Sequence, residues 1–150
     1  MATPLALQLL NTLLASEYVL LVATRAAHWN IEDASFVPFH ELFDKQYNQI
    51  SDLADSIAER NRQLGGVAFG SMREFIDHAF LTETSSHIGD ARDFVTNLIS
   101  LHETFISKAT KTMEFFEETE DDDVTANQLQ DWIGQHQKML WFLKSHKFSN

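Results

Sequence analysis

The side chains best suited to chemistry lie between His40 and Glu59, where His40 and Asp44 form one i,i+4 pair and Asp55 and Glu59 form another. Residues four apart on a helix stand one above the other, so each pair can converge on a single ion. Imidazole nitrogen with carboxylate oxygen suits iron, zinc or manganese, and on iron such a donor set permits redox chemistry. The pairs are eleven residues apart, or roughly 16 Å along a helix axis at ~1.5 Å per residue. That is too far to share a metal, so one helix cannot complete the site.

The helix that carries them is legible from its apolar stripe, Phe39, Phe43, Tyr47, Ile50, Ala54, Ile57 and Leu64, at spacings of three, four and seven. At about 100° per residue the four polar side chains fall on a different face, roughly 140° from the stripe. A second, antiparallel copy of this helix can complete the site. A two-fold axis near the midpoint of Gln49 and Ile50 exchanges positions whose numbers sum to 99, bringing His40 opposite Glu59, Asp44 opposite Asp55 and Asn48 opposite Ser51. Such self-complementarity is what an isologous dimer contact requires.

Four helices would position these residues within one domain spanning residues 1–150. The chain is 44% hydrophobic with five Gly and two Pro, a composition that suits a single compact core. Thr3 and Pro4 start a first helix that runs to about Asn30, with His28 and Trp29 at its end. Its apolar run lacks an early Lys or Arg and is interrupted by Asn11, Ser16, Glu17 and Arg25, so it reads as a buried helix, neither a signal peptide nor a membrane span. Ser35 or Asp33 caps the second helix, which stops at Gly65 and Gly66. The antiparallel pair brings His28 near His40 and Asp44.

A long connection follows, with a short helical piece around Ser71 to Phe80. A third helix runs from about Asp90 to Glu118 and a fourth from about Thr125 to Ser145, capped by Asp123 or Thr125. The expected fold is all-α: a ferritin-like four-helix bundle with one long crossover, carrying a short helix, between the second and third helices. No Cys is present, which excludes thiolate ligands and points to the cytoplasm. No Glu-x-x-His occurs, which argues against a di-iron centre within one bundle.

The runs HWN and FVPFHELFDKQYNQISDLADSIAERNRQLGG, with the later DDDVTANQL, closely resemble the Dps mini-ferritins over nearly the whole chain. The resemblance implies a homo-oligomeric, hollow twelve-subunit shell with ferroxidase sites at two-fold axes. Each site would take His28, His40 and Asp44 from one subunit and Asp55 and Glu59 from its neighbour. It implies oxidation of Fe(II), preferentially by hydrogen peroxide and otherwise by dioxygen, with ferric mineral stored inside and protection against oxidative stress. Iron would be the metal, with Zn or Mn as competitors. Trp29 resembles the family tryptophan that quenches stray oxidant, and it is equally a packing residue. The chain departs from the pattern where Glu32, Asp33 and Ala34 occupy a loop that commonly holds Gly, and where Asn127 replaces a further Asp.

Glu117 to Asp123 contains six acids in seven residues. Alone such a run reads as a solvated loop; around a three-fold axis it would draw Fe(II) inward, and the resemblance assigns that pore role to Glu118 and Asp123. The other expectations are simpler. A net charge of -11 favours cations and opposes phosphate backbones, and only Lys144, His146 and Lys147 lie near the C-terminal end, so DNA binding is the lesser alternative. His136 is expected to be a hydrogen-bonded core residue, and His78, His87, His102 and His146 to have no catalytic part.

Overall fold

The computed structural model describes residues 2–148. Five helices account for it: α1 (Pro4–Asn30), α2 (Phe36–Gln63), α3 (Met72–His78), α4 (Ala91–Glu118) and α5 (Asp123–Lys144). Among the described residues there is no β-strand, only an isolated bridge between Ile31 and Gly89. The long helices pair as α1 with α2 and α4 with α5, α1 also packs on α4, and α3 lies along α1. This is the expected bundle with its crossover.

Local chemistry sets the helix ends. The Thr3 hydroxyl accepts from the Ala6 N–H at 3.2 Å, with Pro4 in the first turn. At the α2 end, a side chain on Gly66 would place its Cβ 2.1 Å from Asn61 Oδ1. Asn61 cannot yield easily, because it is fully buried and its amide donates to Leu7 O at 2.9 Å. The start of α5 differs from expectation: Asp122, not Asp123 or Thr125, is the cap, accepting from Thr125 N at 3.0 Å.

The polar interruptions of α1 have separate uses. Asn11 ties down the crossover by donating to Val67 O at 2.9 Å and accepting from Phe69 N at 3.0 Å. Ser16 accepts from Phe80 N at 3.0 Å, and Tyr18 stacks on Phe75 of α3 with centroids 4.2 Å apart. Although α1 is long and apolar enough to cross a membrane, its buried residues, Leu10, Leu13, Leu14 and Leu20 among them, are enclosed by the other helices.

Most of the α2 stripe is core: Phe39, Phe43, Ile50, Ala54 and Ile57 are buried, joined by Leu53. Tyr47 and Leu64 are only half-buried. Tyr47 sits ~80° from Phe39 around the helix at ~100° per residue, at the border between the apolar face and the face bearing His40 and Asp44.

Candidate metal centre

The last turn of α1 and the first turns of α2 bring His28 and His40 into contact. His28 Nδ1 bonds to His40 O at 2.7 Å, and His40 Nδ1 bonds to His28 O at 2.7 Å. A carbonyl oxygen only accepts, so each Nδ1 carries a proton and Nε2 is the nitrogen left to meet a ligand. The rings stack with centroids 3.7 Å apart, while Phe36 covers His40 at 4.9 Å and Tyr47 meets His28 edge-on at 5.5 Å. Backbone carbonyls thus fix the orientation of both imidazoles, the role that outer partners of metal-binding histidines play.

The loop between α1 and α2 keeps this pair together. Asp33 accepts from Ser35 N at 2.8 Å and from Ala91 N at 2.9 Å, and these backbone bonds hold its carboxyl below the usual range. Glu32 N donates to Gly89 O at 2.9 Å and Gly89 N to Asn30 O at 3.4 Å. The loop is therefore fastened to the start of α4, with Asp33 as its main side-chain anchor.

One turn along α2 from His40, half-buried Asp44 neighbours the Tyr47 phenol, and its acceptor oxygens and charge raise the phenol's pKa. The Arg25 guanidinium lies over the Tyr47 ring at 4.7 Å and the Trp29 ring at 5.4 Å. Trp29 itself is 65% exposed. Asp55 and Glu59 lie farther along the same helix and are exposed, with Asp55 at the edge of a hollow lined by Tyr18, Ser51, Met72 and Phe75.

The structure accordingly brings His28 and His40 together, with Asp44 one turn along α2 and Asp55 and Glu59 farther along the same helix. Among the described residues of one chain, no group of three or more His, Asp or Glu is placed to hold a metal ion.

The acidic run is divided. Glu120 accepts from Thr3 N at 3.1 Å and from the Thr3 hydroxyl, fastening the start of α1. Asp122 caps α5, accepts from the Thr125 hydroxyl and pairs with Arg60 at 3.4 Å, and Asp121 adopts a left-handed backbone with φ 52°. Glu117, Glu118, Asp121 and Asp123 remain exposed, so both pore candidates are open to solvent.

A polar cluster in the core escaped the sequence reading. His136, fully buried and hydrogen-bonded as expected, meets Glu17 Oε1 through Nε2 at 2.5 Å and His102 Nδ1 through its own Nδ1 at 3.0 Å. Burial pushes Glu17 up and His102 down, and it lowers His136 to about 3. The consistent assignment is neutral throughout: a protonated Glu17 donates to His136, whose Nδ1–H donates to His102. The three residues come from α1, α4 and α5, so no spacing within a helix announces them.

A family model described as a ferritin-like domain matches residues 7–147. A low temperature-induced protein of Nostoc sp. is 34% identical over 93% of this chain and 78% of its own length. The DNA protection during starvation protein of Agrobacterium fabrum is 33% identical over 92% of this chain and 85% of its own. Among solved structures, a Dps protein from Bacillus brevis superposes with a TM-score of 0.90 at 26% identity, covering 97% of this chain and 98% of that one.

Proposed function

The chain belongs to the ferritin-like family, in its Dps mini-ferritin branch, and from that membership we propose a ferroxidase and iron-storage cage that oxidises Fe(II), preferentially with hydrogen peroxide. In this reading twelve copies form a cytoplasmic shell, and each two-fold axis joins His28, His40 and Asp44 of one subunit to Asp55 and Glu59 of its neighbour. The observation that carries it is the reciprocal bonding of His28 and His40, which engages both Nδ1 atoms with backbone and leaves the Nε2 atoms to meet a metal.

Fe(II) is the substrate. Two Fe(II) ions each give up one electron to one hydrogen peroxide, which takes up two protons and leaves as two waters. Imidazole nitrogens would hold Fe(II) without adding charge, and the three carboxylates would favour the more highly charged Fe(III). Zn(II) or Mn(II) suits the same donors and would compete. Trp29, exposed next to His28, is placed to give an electron to stray oxidant, and exposed Glu118 and Asp123 would lead iron inward at a pore. The net charge of -11 opposes a DNA coat, so any protection of DNA is assigned to the removal of iron and peroxide.

An Asp55→Ala, Glu59→Ala double variant tests the reading. It should assemble as wild type yet lose at least about ten-fold in the initial rate of peroxide-driven Fe(II) oxidation. Wild-type kinetics in the assembled variant would remove these residues from the site.

A further inference from the structure

Resting on the metal-centre reading, we propose that Tyr47 is a positioning residue of that centre: its hydroxyl holds the Asp44 carboxylate and its ring braces His28. Periodicity alone assigns Tyr47 to the core stripe, yet it is half-buried where Phe43 and Ile50 are fully enclosed. Its contacts point toward the ligands instead. Asp44 stands three residues back along the same helix, within side-chain reach, the ring lies edge-on to His28 at 5.5 Å and 68°, and Arg25 packs on it at 4.7 Å. One side chain thus meets His28 of α1 and neighbours Asp44 on α2, a candidate ligand from each of the two helices.

The physical consequence is preorganisation. A phenol donating to one carboxylate oxygen leaves the other for a divalent metal and fixes the rotamer that presents it, so less conformational freedom is lost on binding. Arg25, held between Tyr47 and Trp29, limits where the ring can move.

Cobalt(II) alone is the probe, titrated calorimetrically into the assembled protein while its visible absorption reports the ligand geometry. Tyr47→Phe keeps the ring and removes the hydroxyl. It should bind cobalt about 10- to 100-fold more weakly and shift the absorption bands, with assembly and melting temperature unchanged. Tyr47→Leu, which also removes the brace on His28, should lose more. Wild-type affinity and spectrum in Tyr47→Phe would overturn the inference and leave the centre standing. Wild-type cobalt affinity in Asp44→Asn would overturn the centre itself, and the role of Tyr47 with it.

Discussion

Asp33 shows how much a single side chain outside the donor set can decide. Its two backbone bonds, to Ser35 N and Ala91 N, fasten the loop that fixes the distance between His28 and His40. Asp33→Ala should lower unfolding stability by about 1–2 kcal/mol, the usual loss for a capping carboxylate. It should also weaken cobalt binding although no ligand has changed; denaturant unfolding and titration of the same sample check both effects. The placement of the two candidate pairs on one helix was legible, because i,i+4 spacing is a local property of sequence. The roles of Asp33, Tyr47 and Arg25 were not, since each depends on contacts set by how α1, α2 and α4 meet. Tyr47 was even misassigned, its position on the helical wheel lying where the apolar and polar faces join.

Among the elements, the first four predicted starts and stops agree with the structure to within a residue or two, because Thr3, Pro4, Gly65, Gly66, Ser71 and Asp90 are local signals. The acidic turn before α5 was harder to read, as any of three consecutive aspartates can cap and only Asp122 also reaches Arg60. The contact between α1, α4 and α5 holds the neutral triad of Glu17, His136 and His102, and its pH dependence follows from its protons. Below an ordinary imidazole value of 6.5, unfolded histidines take up protons that folded His136 refuses until about pH 3 and folded His102 also resists. Stability contributed by the two histidines is therefore lost as pH falls. Above 4.5, unfolded Glu17 gives up the proton that the folded core retains, so its contribution is lost as pH rises. Between those values the two imidazole protons outweigh the one carboxyl proton, and the combined contribution peaks near pH 6.5. Glu17→Gln should abolish the decline on the alkaline side, which amounts to up to about 1.4 kcal/mol per pH unit for one proton. Melting temperatures from pH 5 to 9 measure it, and an unchanged alkaline limb in the variant would contradict the neutral assignment.

At the scale of the whole molecule, the proposed centre leaves each bundle with two incomplete sets of candidate ligands, and assembly is what would make it an enzyme. The two-fold relation proposed from α2 makes this testable without a metal-loaded structure. In a His28→Ala, His40→Ala chain the imidazoles are missing; in an Asp55→Ala, Glu59→Ala chain the distal carboxylates are missing. A dimer of one of each would hold one centre with every ligand and one with almost none. The decisive measurement is the rate of peroxide-driven Fe(II) oxidation after the two inactive variants are dissociated, mixed in equal amounts and reassembled. Random pairing should restore about a quarter of the wild-type rate, since about half the dimers are mixed and each has one of its two centres intact. No recovery from mixed shells that have demonstrably reassembled would contradict a centre shared between subunits.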